Sequence, residues 1–540
     1  HINLLVYGDD RFFSSQTFAN FSPGVIDIFD HPTEIIVKFK ASPNDFKADF
    51  YQFLQNQKAM QSFSTEVLNE ETKVALFKLP IGLVASTLIQ ELQNSPQIEW
   101  AEPNRVIVGD PREFTPNDPL LEKQFHHQIM KSFEGWEQST GKEEIIIAAT
   151  DDGFALGHQD LKNIFWTNKG EIADNQIDDD GNGYVDDVYG WDFANNDNDP
   201  STNGGGGSHG THVAGILGAE FNNGVGISGH GDKIRVMALK WYGGGSWTAA
   251  TVLKTYKYAA DNGAKIISTS YNIDGFAGNK TYDEAVSYCY KKGILIFNSA
   301  GNGNRQQSPR SKIDKIFLVA STQSGKDRKK WDVRSRFSNY GYGVDIAAPG
   351  NPIYSTVPRN RYSDMSGTSM AAPNAAGLAG LIWSTHPEWS MAQVISQLFQ
   401  ASDDIDGLNS RYAGELGAGR INVKSAQNEK RLPPRIRKSW YADGTKELSF
   451  QIWGVLDARK FTRGSVVLEN TKGEKVEGTL EAKGSYFLGT NVLKYQVKAA
   501  AGTYRARLIA AKLADPFGQE LDGDGNGQSG DDYTLEFTVE

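Results

Sequence analysis

Five short apolar-rich runs place the tightest limit on what this chain can fold into. Residues 145–149, 236–239, 264–268, 294–297 and 316–319 have few polar positions on either face. A strand that is apolar on both faces must be covered on both faces, which favours a parallel sheet between two helical layers. Helix-compatible stretches separate the runs, at 131–139, 209–220, 247–262, 281–292 and 369–385. This strand–helix alternation predicts a doubly wound parallel α/β sheet over residues 113–428. In such sheets functional sites lie beyond the carboxyl ends of the strands.

The flanking segments follow other patterns. With 540 residues the chain is long enough for three or four domains of about 150 residues. Residues 1–32 are aromatic-rich and carry no interpretable motif, so they read as a leader segment. Residues 33–112 contain an alternating strand at 34–40, a helix at about 43–62, a strand at 73–79 and a helix at 83–95, closed by 98–104. That order suggests a small α+β domain. Beyond Pro433 and Pro434 the segments 447–453, 464–470, 475–482, 492–498, 503–510 and 532–539 read as strands joined by turns. An all-β, immunoglobulin-like sandwich is predicted for 434–540.

Composition excludes several functions. The net charge of −11, from 55 basic and 66 acidic side chains, gives no basic footprint for nucleic acid. Cys289 is the only cysteine, so no intrachain disulfide forms, and a metal ion is the natural alternative brace. No apolar run reaches the roughly 18 residues of a membrane span. The chain opens at His1 rather than methionine, which suggests that an upstream export segment has been removed.

Three segments of the α/β region carry candidate chemistry. Asp151, in Asp151-Asp152-Gly153, follows the first apolar run. His209, in Ser208-His209-Gly210-Thr211-His212, opens a helix. Ser369, in Gly367-Thr368-Ser369-Met370-Ala371-Ala372-Pro373, opens another. Singly these read as a turn, a structural histidine and a helix cap. Together they supply a nucleophile, a base and an orienting carboxylate.

Two acidic loops have the ligand phase of an EF-hand-type calcium loop without its distal glutamate. In the first, Asp178, Asp180, Asn182, Tyr184 and Asp186 stand at positions 1, 3, 5, 7 and 9 with Gly183 at 6, and Asp187 follows. In the second, Asp522, Asp524, Asn526 and Gln528 repeat the phase, with Asp531 and Asp532 beyond. The competing reading for each is a solvated turn. Carboxylates packed this densely repel one another unless a cation intervenes.

The order Asp, His, Ser, with these flanking residues, resembles the subtilisin-like serine proteases, the subtilase family, across 113–428. The resemblance implies a catalytic triad of Asp151, His209 and Ser369. It implies that Asn302, in Ala300-Gly301-Asn302, donates to the oxyanion. Ser270, Tyr271 and Asn272 would line the primary specificity pocket, and Gly243, Gly244 and Gly245 would pair with the substrate backbone. Asp152 is similar to a residue of the proprotein-convertase branch that favours basic substrates, although Val213 departs from that branch. The resemblance adds two calcium sites. One comprises Asp118, Asp160 and Asn223, within the loop Phe221 to Ile227 that includes Val225. The other comprises Asp192, Asp197 and Asp199. Residues 33–112 resemble the family's inhibitory propeptide, with the junction at 108–114.

The expectation is therefore a secreted, extracellular or cell-surface, calcium-stabilised serine endopeptidase. It should be a monomer, made as a proenzyme, acting on protein or peptide substrates and needing no organic cofactor. The competing readings are a latent zymogen or pseudoprotease acting as a calcium-dependent adhesion protein, and a glycoside hydrolase using paired carboxylates.

Overall fold

The computed structural model describes residues 27–40, 64–79, 85–108, 115–202, 207–242, 247–428, 431–462, 464–482 and 490–540. The helix expected at 43–62 and the glycines 243–245 lie outside them. The chain divides into two compact units, residues 1–112 and 113–540.

In the first unit, strands β1 (Asp27–Phe39), β2 (Ser64–Asn69), β3 (Val74–Lys78) and β4 (Ile98–Val108) form one sheet in the order β2-β3-β1-β4. The β1 pairings with β3 and β4 are antiparallel. Helix α1 (Ala85–Gln93) turns Leu88 and Leu92 into a core shared with Ile35, Val37 and Phe77. These leucines are four residues apart and so lie on one helix face. This unit is α+β, as the sequence predicts.

The second unit is built on a seven-stranded parallel sheet. Its strands are β5 (Ile145–Asp151), β6 (Gly190–Asp192), β7 (Ile234–Lys240), β8 (Ile266–Thr269), β9 (Leu295–Ser299), β10 (Phe317–Gln323) and β11 (Ile346–Asn351). Their order is β11-β10-β9-β8-β5-β7-β6. Neighbouring residues along each strand alternate between two cores. Ile147, Val236, Ile266 and Phe297 face one, which includes helices α2 (Phe125–Ile129), α3 (Ser132–Trp136), α4 (Ser208–Gly218), α7 (Thr368–Thr385) and α8 (Met391–Gln400). Ala148, Met237, Ile267 and Ile296 face the other, with α5 (Ala249–Asp261) and α6 (Lys280–Lys291). This is the doubly wound arrangement, and it explains why the sequence runs are apolar at nearly every position.

A hairpin of β12 (Ile353–Val357) and β13 (Arg361–Met365) precedes α7, and α9 (Val423–Gln427) closes the α/β region. Two antiparallel four-stranded sheets follow. One joins β14 (Arg435–Ala442), β15 (Glu447–Leu456), β18 (Gly478–Ala482) and β19 (Thr490–Val497). The other joins β16 (Val466–Asn470), β17 (Lys475–Val476), β20 (Gly502–Leu508) and β21 (Tyr533–Val539). Leu448, Phe450, Leu493, Ala506 and Leu508 fill the space between them.

These sheets are fastened to the α/β region. Val455 of β15 belongs to the core beneath α8. Gln451 Nε2 donates to Gly414 O at 2.8 Å, and Gln400 Nε2 donates to Asp515 Oδ2 at 3.0 Å. Arg437 pairs with Asp406 at 2.7 Å, and Tyr342 stacks on Trp440 at 4.9 Å.

Candidate active site

Strand β5 ends at Asp151, between β7 and β8, in the middle of the sheet. The chain then turns through Gly153, whose φ of 124° suits glycine. Asp151 is buried, and the Nδ1 of His209 lies 2.7 Å from its Oδ1. The helix carrying His209 approaches closely because its next residue is glycine. A β-carbon on Gly210 would stand 2.4 Å from Gly153 O and 2.9 Å from Asp151 Cβ.

Asp152 has a structural task. Helix α4 is capped by Gly207, which offers no side-chain acceptor. Asp152 Oδ1 instead accepts the Gly210 N–H at 2.8 Å, satisfying one of the helix's free donors. Burial and the neighbouring Asp151 raise its pKa. Asp152 also lines the cavity beside His209. Burial pulls the His209 imidazole down, but Asp151, at contact distance and with Asp152 behind it, outweighs this and lifts its pKa to about 9.

Helix α7 begins at Thr368, and Gly367 has no cap side chain. Asn302 supplies the cap from another segment. Its Oδ1 accepts the Thr368 N–H at 2.9 Å and the Thr368 hydroxyl at 2.8 Å. These two donors fix the amide's orientation, so Nδ2 is its free, donating end. A β-carbon at Gly367 would sit 3.5 Å from that nitrogen. Pro373 lies inside the helix and has no N–H for the Ser369 carbonyl four residues earlier. Ser270 Oγ donates to that carbonyl at 2.9 Å, and Ser369 Oγ donates back to Ser270 O at 3.0 Å. The Ser369 hydroxyl is thus turned to Ser270 rather than to the imidazole.

Two cavities meet at Ser270. One, of about 280 Å³, is lined by Asp151, Asp152 and His209 together with Trp241, Tyr242, Trp247 and Tyr271. The Trp241 and Tyr271 ring centroids are 3.8 Å apart. The other, of about 370 Å³, holds Ser369, Asn302, Asn272 and Arg310. The sequence predicts Ser270, Tyr271 and Asn272 in one pocket; the structure places Ser270 and Asn272 in the second cavity and turns Tyr271 into the first. The sequence reading missed the tryptophans and Arg310. An aromatic pair flanking a glycine run (Trp241 and Trp247) was the signal available for the first of these.

A model of the subtilase family of S8 peptidases matches residues 142–419, half of the chain. The chain belongs to the subtilase family. Thermitase of Thermoactinomyces vulgaris is 36% identical over 318 residues, spanning 58% of this chain and 99% of that protein. A thermophilic serine proteinase of Bacillus sp. (strain AK1) is 31% identical over 398 residues, 73% of this chain and 86% of its own length. The halolysin-like extracellular serine protease Nep of Natrialba magadii is 33% identical over 331 residues, 61% of this chain and 55% of Nep.

The subtilase's acidic loops are only partly as the spacing predicts. In the first, the carboxylates that converge are Asp178, Asp180 and Glu171, with oxygens within 4.8 Å of one another. Glu171 accepts the Asp179 and Asp180 N–H groups at 2.9 and 3.1 Å, and that of Asp186 at 2.9 Å. Asn182 Nδ2 bridges Asp180 and Asp187 at 3.1 and 3.0 Å, and the Tyr184 N–H closes onto Asn182 Oδ1. Asp186 and Asp187 are not among the three carboxylates that converge. Asp186 holds the Asn175 and Gln176 N–H groups. Asp187 is fully buried and accepts from Tyr258 and Asn168.

In the second loop Asp522, Asp524 and Asp531 converge. Asp532 accepts the Ala510 N–H at 2.8 Å and is not among the three that converge. Asn526 Oδ1 accepts the Gln528 N–H, and Gln528 is exposed.

The two sites suggested by resemblance alone differ from each other. Asp118, Asp160 and Asn223 do meet. Asn223 N donates to Asp118 Oδ1 at 3.0 Å, Asn223 Nδ2 to Asp160 Oδ1 at 3.2 Å, and Ile227 N to Asp160 Oδ2 at 2.9 Å. Val225 N closes the loop onto Asn223 Oδ1, and Phe221 packs against Trp136. Asp160 is completely buried, and its pKa is pushed up to about 7 by that burial, with Asp118 adding to it. Such a carboxylate pair suits a hard divalent cation. Asp192, by contrast, already has its cation. Lys240 Nζ lies 2.7 Å away, and Ala194 N, Asn195 N and Asn195 Nδ2 take its remaining acceptor positions. It is removed from the ligand set, and Asp197 and Asp199 serve local turns.

Proposed function

We propose that this subtilase is a calcium-stabilised serine endopeptidase working through an acyl-enzyme on Ser369. The observation that carries the reading is the 2.7 Å contact of His209 Nδ1 with buried Asp151, beside the cavity that holds Ser369 and Asn302.

Each step follows from the side chains. Asp151 keeps the proton on Nδ1, leaving Nε2 as the base. Rotation of the Ser369 side chain away from Ser270 O presents its hydroxyl to Nε2. His209 removes the proton as Oγ attacks the scissile carbonyl. The oxygen of the tetrahedral intermediate takes hydrogen bonds from Asn302 Nδ2 and from the Ser369 N–H, which the first turn of α7 leaves unused. His209 then returns the proton to the leaving amine, and a water repeats the sequence to release the acid. No organic cofactor takes part.

Calcium enters as a structural ion. The carboxylates Glu171, Asp178 and Asp180, and likewise Asp522, Asp524 and Asp531, supply hard oxygen donors, as does the Asp118–Asp160–Asn223 group. Residues 33–112 act as the propeptide, released by autoprocessing near 108–114 (109–114 lie outside the described residues). Secretion is proposed from the relative named as extracellular, Nep. No helix among the described residues is long and apolar enough to cross a membrane. The enzyme acts as a monomer on peptide substrates.

Incubation with an unfolded protein and mass mapping of the products tests the reading. Internal peptide bonds are cut by the wild type and left intact by Ser369→Ala. Equal cutting by both would refute it. Intact mass of the chain over time with calcium tests processing: the wild type splits near 108–114 and Ser369→Ala does not.

A further inference from the structure

The cavity beside Ser369 is unusually polar for a pocket that receives a side chain. Its walls are serines, asparagines, glycines, Asp274, Arg305 and Arg310; no aliphatic or aromatic side chain lines it. An apolar side chain entering it would find no apolar surface to pack against and would gain little from burial.

The three charged groups differ in their freedom. Arg310 is buried and spoken for. Its Nε donates to Asp274 Oδ1 at 2.8 Å, its Nη1 to Ser299 O at 2.7 Å, and its Nη2 to Asn272 Oδ1. The Arg310 N–H reaches the same Asp274 oxygen at 3.2 Å. Asp274 is therefore neutralised in place. Arg305 is different. Its backbone N–H is held by Asn339 Oδ1 at 2.9 Å, and its side chain lies over Gly303, where a β-carbon would come within 3.2 Å of Nε. Among the described residues its guanidinium has no carboxylate partner. The pocket thus carries one uncompensated positive charge, in a planar group suited to a carboxylate.

We infer that this pocket selects an acidic side chain, glutamate or aspartate, on the residue that contributes the scissile carbonyl, with Arg305 as the group that reads it. The inference rests on the endopeptidase reading above. Arg310 is a positioning residue: it holds Asn272 and Asp274 in the wall and leaves Arg305 to meet the substrate.

The test is a set of peptides identical except at that residue, carrying Glu, Asp, Gln, Leu, Phe or Lys, assayed as kcat/KM at two salt concentrations. Arg305 is exposed, so Glu is expected to exceed its neutral isostere Gln by about twofold to fivefold, the range for an exposed ion pair, and the ratio should fall with salt. Arg305→Ala should bring the Glu-to-Gln ratio towards one, and Arg305→Glu should shift preference to Lys. Preference for Leu, Phe or Lys in the wild type overturns the inference while leaving the endopeptidase intact, and so does a Glu-to-Gln ratio unaffected by Arg305→Ala. Failure to cut any of the peptides, together with no cutting of an unfolded protein, overturns both.

Discussion

At the scale of residues, the chemistry turns on His209. Its pKa of about 9 is above the ordinary 6.5, so only a minor fraction of the imidazole is in the neutral form that acts as base near pH 7, and that fraction grows as pH rises. The expected result is a kcat/KM that climbs with pH through about 9 rather than through 6.5. Asp152→Asn removes one carboxylate from beside the ring and should move that midpoint downward, which a pH–rate profile reads directly. The same shift bears on stability. A group with a raised folded pKa contributes fully below pH 6.5, and that contribution is lost as pH rises through about 9. Asn302 allows a second prediction. Asn302→Ala should lower kcat by about 100-fold to 1000-fold, the range established in subtilisin itself for losing one oxyanion donor. KM should change little, because the lost interaction forms mainly in the transition state. The loss of Asn302 also removes the Thr368 cap, so a melting curve should accompany the kinetics.

At the scale of elements, the loops show what local sequence can and cannot carry. The segments around Asp151, His209 and Ser369 were legible because each packs its reason into a few consecutive residues. Gly210 lets α4 approach β5, and Pro373 frees the Ser369 carbonyl for Ser270. The acidic loops were legible only in part, because a carboxylate's partner is set by the fold rather than by spacing. Glu171 joins Asp178 from outside the loop's repeat, and Lys240, on the neighbouring strand β7, claims Asp192. The β12–β13 hairpin and β14 are not legible in the sequence, the latter because Arg435, Arg437 and Lys438 on a half-buried strand blur the alternation. Glu171 gives the test. Calcium at 100 times its Kd should stabilise the wild type by about 2.7 kcal/mol per site, read as a higher Tm. Glu171→Gln should lose much of that gain; its Tm in EGTA should also fall, because the amide has one acceptor oxygen where the carboxylate uses both, so the calcium-induced rise in Tm is the quantity to compare. An equal calcium response in both would remove Glu171 from the site.

At the scale of the whole molecule, the sandwich and the α/β region behave as one body rather than as beads on a linker. The sequence marked the change of pattern after Pro434, but not that Val455 would complete the core under α8. That core residue is contributed across the domain junction, where periodicity within one segment carries no information. Ending the chain before Arg431 should therefore lower the Tm of the remainder by about 5 °C or more; an unchanged Tm would show that the sandwich is only tethered.

The proposed chemistry requires Ser369 to be a nucleophile activated by His209. Labelling with a serine-directed phosphonylating agent, followed by peptide mass mapping, tests it most directly. One label per chain is expected, on Ser369, absent in Ser369→Ala and far slower in His209→Ala. No label on the wild type, or a label whose rate is indifferent to His209, would contradict it.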